Sequence, residues 1–206
     1  MKKLLVFAAL AVFGLTTVNA QEDSTVDKVV EQAKNGGFYI GANVGFSLIS
    51  SNFYNSSSNN DDYGSFNFGF DAAYLFGVME NLEVGLLTGY TQFIASGKYS
   101  YNDNGTTVHV DYKDASFVPI AASSRYSFAD GKFFGGLDLG VGINVDGDSD
   151  TGFYYRPKFG FNLGNITLIA SYQGISGDQN YNNSNGAKLY SLNGFKSVNA
   201  GIEFSL

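Results

Sequence analysis

The 206-residue chain has no cysteine, no tryptophan, one histidine and two prolines. Without cysteine there is no disulfide, no thiolate metal site and no catalytic thiol, and no residue to carry a lipoprotein anchor. Charged residues make up 15%, well below the usual share of about a quarter. Lys and Arg number 12 against 19 Asp and Glu, a net charge of −7. No basic stripe is present, which argues against nucleic acid as a partner. Beyond residue 20 no stretch reaches the roughly 18 continuous apolar residues of a membrane helix. What the chain does have is aromatic residues, at 16%, and 26 glycines. So many aromatics among so few charges suit a molecule whose outside need not be wet throughout. The length fits one domain.

Residues 1–20 read as a signal peptide. Lys2 and Lys3 supply the positive end, Leu4 to Leu15 the apolar core, and Val18-Asn19-Ala20 a small-residue cleavage site. Residues 21–37 form a leader of a different kind. Val26, Val29, Val30 and Ala33 recur at helical spacing, Ser24 and Asp27 make a weak capping box, and Gly36 is a plausible stop. A helix this short is marginal in water, so the leader is read as a solvated periplasmic segment or a small amphipathic helix.

From Phe38 the period changes to 2, the pleat of a β-strand. The last stretch shows it most clearly: Val198, Ala200, Ile202, Phe204 and Leu206 share one face, while Ser197, Asn199, Gly201, Glu203 and Ser205 share the other. Seven earlier segments repeat it, with apolar faces beginning at Phe38, Phe66, Leu82, Val118, Gly135, Phe153 and Ile166. Tight connections are expected at Gly77–Asn81, Ala129–Lys132 and Gly164-Asn165, and long polar ones up to Gly64, at Ser96–Asp114, at Asp146–Gly152 and at Ser176–Gly194. Asp103-Asn104-Gly105 resembles a hairpin tip. The expected fold is all-β: an eight-stranded antiparallel up-and-down transmembrane β-barrel over residues 38–206.

Alternation alone leaves open which face is outside. Three features favour apolar-out, in a membrane. Long and short connections alternate, as in outer-membrane barrels. The apolar faces carry no charge, where a Lys or Arg at the midplane would cost about 2–4 kcal/mol. The opposite face is rich in glycine and holds few, nearly balanced charges: Asp71, Glu83, Asp138 and Glu203 against Arg125, Arg156 and Lys158. These seven are read as an interior ion-pair network, in which Arg125 and Arg156 pair with Glu83, Asp138 or Glu203. Pro119 and Pro157 cannot donate to a ladder, so bulges or broken pairing are expected there.

On these features (the export segment, the eight alternating segments and the closing strand ending Phe204-Ser205-Leu206) residues 38–206 resemble the small eight-stranded outer-membrane barrels of the OmpA/OmpX type, in the style of Bacteroidetes β-barrel domain proteins. The ending looks like the C-terminal signal read by the barrel-assembly machinery, with Leu where Phe is typical. The resemblance implies a monomer in the cell outer membrane of a Gram-negative bacterium, with both termini in the periplasm. Its partners would be outer-membrane lipid and lipopolysaccharide, and the assembly machinery during biogenesis. A peptidoglycan-binding domain after Leu206 is not expected. Tyr and Phe must build the interfacial girdles that tryptophan usually shares.

Little else suggests chemistry. His109 lies across the expected hairpin from Ser96 and Ser100, but a His and Ser pair at unspecific spacing is ordinary loop composition. Asp146-x-Asp148-x-Asp150 alternates carboxylates like a calcium loop, yet its glycine, Gly152, comes one place late and no bidentate Glu follows in register. No catalytic residue, metal or cofactor is expected. The function expected is structural or surface interaction, with two alternatives: a narrow, porin-like pore, and a soluble periplasmic barrel holding an apolar ligand.

Overall fold

The computed structural model describes residues 36–48, 51–53, 64–96, 98–103, 106–146, 149–182 and 188–206. The signal peptide 1–20 and nearly all of the leader 21–37 lie outside the described residues. Among the described residues there is no helix, and eleven strands form. They are β1 (Gly37–Ser47), β2 (Ser51–Phe53), β3 (Gly64–Met79), β4 (Leu82–Ser96), β5 (Lys98–Asp103), β6 (Thr106–Asp111), β7 (Ala115–Phe128), β8 (Phe133–Asn144), β9 (Gly152–Asn162), β10 (Ile166–Asn182) and β11 (Lys188–Ser205).

Eight of these close a barrel. The order is β1-β3-β4-β7-β8-β9-β10-β11, every neighbour is antiparallel, and β11 returns to β1 over a ladder from Tyr39↔Ser205 to Ser47↔Ser197. The closing strand therefore pairs on both sides and leaves the barrel without an edge, the condition a sheet must meet to stand in lipid. At one end of the barrel the connections are short. Asn81, Ala129, Asp130, Gly131 and Gly164 take positive φ there. Leu163 N–H donates to Ile166 O at 2.7 Å across Gly164-Asn165, as a two-residue hairpin loop requires. The other end carries the long connections.

The alternation sorts the faces as the composition suggests. Phe38, Ile40, Val44 and Phe46 of β1, Leu137, Leu139, Val141 and Ile143 of β8, and Leu168, Val198 and Phe204 near the closure are all exposed on the outer wall. The soluble alternative needs the reverse, with these side chains as a core. The structure turns them outward instead, so an apolar ligand held against this face inside the barrel is ruled out.

Two connections differ from expectation. Ser176–Gly194 was expected as loop, but β10 continues to Asn182 and β11 begins at Lys188, pairing through Tyr181↔Tyr190 after a register shift beyond Ile175. β2 adds to this extension through Tyr190↔Phe53. Interleaved tyrosines, which favour strand, outweigh the Asn and Ser between them once a partner strand is present. In the second long connection β5 and β6 form a separate ribbon from Lys98↔Asp111 to Asp103↔Thr106; Asn104 and Gly105 of its tip lie outside the described residues. At each proline the register holds and the pairing stops on one side only, since β7–β8 runs on through Pro119↔Gly142 and β8–β9 through Leu137↔Pro157. β4–β7 pairs to Thr88↔Ile120 and resumes at Thr91↔Phe117. β9–β10 pairs to Ser171↔Lys158 and resumes at Gly174↔Tyr155.

Candidate functional site

The lumen is the only place where the described residues concentrate charge, and it is stacked in layers. In the middle, Arg156 reaches two carboxylates. Its Nη1 is 2.7 Å from Asp71 Oδ2 and its Nε 2.8 Å from Asp138 Oδ2. Lys158 Nζ is 2.8 Å from Asp138 Oδ1, and Ser123 donates to the same oxygen at 2.5 Å. Asp138 is fully buried. β8 and β9 place these groups together because Asp138 and Arg156 are cross-strand partners. Gly136, beside Lys158 in register, leaves room for its stem: a Cβ there would sit 2.9 Å from Lys158 Cε.

Toward the short-turn end Arg125 pairs with Glu203. Its guanidinium is held between two rings, 4.4 Å from the centroid of Tyr39 and 4.1 Å from that of Phe134, an arrangement that suits a planar delocalised cation. Phe134 in turn lies over Gly160, where a Cβ would collide with the ring. Glu83 is the cross-strand partner of Arg125 and accepts a hydrogen bond from the Tyr39 hydroxyl at 3.1 Å.

Toward the long-loop end the charges give way to amides and hydroxyls. Asn67 Nδ2 donates to Asn199 Oδ1 at 2.6 Å, Asn199 Nδ2 to Ser197 Oγ at 3.0 Å, and Gln173 Nε2 to Thr91 Oγ1 at 3.2 Å. Above them Phe93, Phe117 and Phe195 converge, with centroids 5.0–6.2 Å apart. Ile175, Tyr112 and Ala115 complete this buried apolar layer.

All seven charged residues singled out in the sequence thus face the lumen. Six of them form direct ion pairs with one another, and Glu83 is reached through Tyr39 and its register with Arg125. Pairing of an arginine with Asp71, and of Lys158 with Asp138, was not anticipated. Nor were the rings about Arg125 or the phenylalanine layer. The signal for them was in the same alternation: Tyr39, Phe93, Phe117, Phe134 and Phe195 all fall on the inward, otherwise small or polar phase.

The other candidate residues are dispersed. His109 is exposed on β6 and opposite Ser100, while Ser96 belongs to β4. Asp146 accepts from Ser116 N–H at 2.5 Å and from Asn144 Nδ2 at 2.7 Å, so it acts as a capping acceptor for the ends of β7 and β8. Asp148 lies outside the described residues. Among the described residues no three His, Asp or Glu side chains gather as a metal site would need.

No protein-family model matches this chain, and no curated protein is similar to it. Solved structures are similar in form. A de novo designed transmembrane β-barrel matches 82% of this chain and 95% of its own, at 13% identity and a TM-score of 0.45. Neisserial surface protein A matches 81% and 96%, at 18% identity and 0.44. Ail, the attachment invasion locus protein of Yersinia pestis, matches 82% and 97%, at 16% identity and 0.41. At these values the likeness says nothing of role, and the fold stands on the pairing described above.

Proposed function

We propose that this chain is an outer-membrane β-barrel protein that is closed to solutes and serves a structural or surface-interaction role without catalysis. The carrying observation is the contrast across the wall: an apolar exterior, with Lys196 the charge on the outward phase of β11 toward the long-loop end, around a lumen where six charged side chains pair with one another. Burying apolar surface is the usual drive for folding. Here that surface faces outward on every barrel strand, which is stable only in a medium as apolar as itself. The alternating connections orient the barrel, with the short turns in the periplasm and the long, Asn- and Ser-rich connections at the cell surface. Those connections, with the β2, β10 and β11 extension, supply the polar surface for contact outside the cell.

A pore reading requires a water path. An eight-stranded barrel has an interior just wide enough for its side chains to fill, and here the ionic, amide and phenylalanine layers occupy it in turn. Two measurements test the proposal together. Isolated outer membranes should contain the protein as a compact band that shifts on boiling in SDS, and the purified protein in planar bilayers should show no discrete conductance. Recovery in the soluble fraction without a heat shift would refute the membrane barrel, and steady open-channel currents would refute the closed lumen.

A further inference from the structure

Six of the eight ladders of the barrel run without a gap through the wall; the other two, β4–β7 and β9–β10, break on one side of Pro119 and of Pro157, while the ladder on the other side of each proline is continuous. The two gaps differ in what lies behind them. At Pro157 the unpaired stretch includes Arg156 and Gln173. Both are tied down inside, Arg156 to Asp71 and Asp138 and Gln173 to Thr91, so opening there would strand buried charge. At Pro119 the register sets Gly89 and Tyr90 against Pro119 and Val118. Of this unpaired stretch the inward members are Gly89 and Pro119, neither with a polar side chain; Leu87 and Ala121 flank it on one side and Thr91, Phe117 and Phe93 on the other, while Asp71 of β3 lies beside Gly89. Parting this seam frees no charged side chain of the stretch itself, since Asp71 stays paired with Arg156, and acyl chains outside would meet Phe117 and Phe93 at its long-loop edge.

On the outer wall one side chain spans the same seam. The Tyr90 hydroxyl is 3.1 Å from Ser116 Oγ on β7 and 3.2 Å from Gln92 Oε1 on its own strand. Its ring stacks on Phe70 of β3 at 5.7 Å. A tyrosine in this place substitutes a side-chain bridge for the backbone pairing that proline removes. The geometry points to a latched lateral seam between β4 and β7: with Tyr90 engaged the wall is sealed, and with it released the phenylalanine layer of the lumen becomes accessible to acyl chains of the surrounding leaflet. This rests on the membrane reading above, and the experiment separates the two.

The absence of tryptophan makes a clean reporter available. Phe93→Trp places a single indole behind the seam, and Leu139→Trp places one on the lipid face, each in the full barrel in vesicles containing phospholipid with brominated acyl chains. Quenching of the Leu139→Trp indole is the control for membrane insertion; if it is absent, the membrane reading itself fails. With that control quenched, the Phe93→Trp indole should be protected, and adding Tyr90→Phe or Ser116→Ala should raise its quenching toward that of the control. Unchanged protection in both would overturn the latch while leaving the barrel intact. Amide exchange needs no tryptophan and covers the case in which Phe93→Trp fails to fold. Tyr90→Phe should speed exchange at Gly89, whose N–H is the seam amide facing β7, about 2- to 10-fold, the effect of one hydrogen bond, and Pro119→Ala, which restores a donor, should slow it. The β9–β10 gap should respond to neither. Exchange at Gly89 that both variants leave unchanged would overturn the proposal.

Discussion

On β8, Leu137, Leu139 and Val141 are 40%, 41% and 45% exposed, while Asp138 between the first two is fully buried. The outer wall and the lumen are thus built from neighbouring residues of the same strands, under opposite rules. On the wall any apolar side chain of suitable size serves, because lipid adapts to it. In the lumen each group depends on a particular partner: Asp138 on Arg156, Lys158 and Ser123, and Arg125 on Glu203 and two rings. The wall is tolerant of shape and intolerant of charge. The lumen holds charge only in matched sets, since an isolated buried ion is far costlier than a paired one.

Substitutions that break this contrast should separate the two faces, read by urea titration of the barrel in lipid vesicles. The largest loss is expected from Arg156→Met, which strands Asp71 and leaves Asp138 with Lys158 and Ser123 alone; removing one partner of a buried pair costs about 3–5 kcal/mol. Conductance should stay absent, because Lys158 and the layers above remain. Leu139→Arg, which puts a cation on the lipid face, should cost about 2–4 kcal/mol if Leu139 lies near the midplane. Arg125→Met alone should be strongly destabilising, but combining it with Glu203→Leu should recover most of the loss, since a matched apolar pair often replaces a buried ion pair at little cost. A double variant as unstable as the single would show that the rings of Tyr39 and Phe134, and not the ion pair, set the demand for Arg125. Leu139→Val should cost least, below about 1.5 kcal/mol. A larger effect would mean that the outer wall is packed like a core.

The wall was legible in the sequence because its rule is one of period and polarity alone: Val198, Ala200, Ile202 and Phe204 reveal it without knowledge of any neighbour. The inward charges were legible for the same reason, being the exceptions on the small face. Their pairing was not. Which carboxylate meets Arg156 depends on how far each strand is staggered against the next, and stagger is set by closure. Asp71 belongs to β3 and reaches Arg156 of β9 only across the lumen. The phenylalanine layer was hidden for a related reason. Phe93, Phe117 and Phe195 are far apart in the chain, each is a single aromatic on an inward phase, and only the closed barrel makes them neighbours. The extended β10 and β11 were obscured by composition, since Asn and Ser read as loop until a paired strand orders them. At Pro119 and Pro157 broken pairing followed directly from the missing donor.

The most direct test of the orientation uses the absence of cysteine, which allows one spin label at a time. Labels at Leu137, Leu139, Val141 and Ile143 in membrane-reconstituted protein should all be highly accessible to oxygen, which partitions into lipid, and poorly accessible to a water-soluble nickel complex. Low accessibility to both reagents at these four positions would place them in a core, and high nickel accessibility would place them in water. Either result would contradict a barrel that presents this face to the membrane.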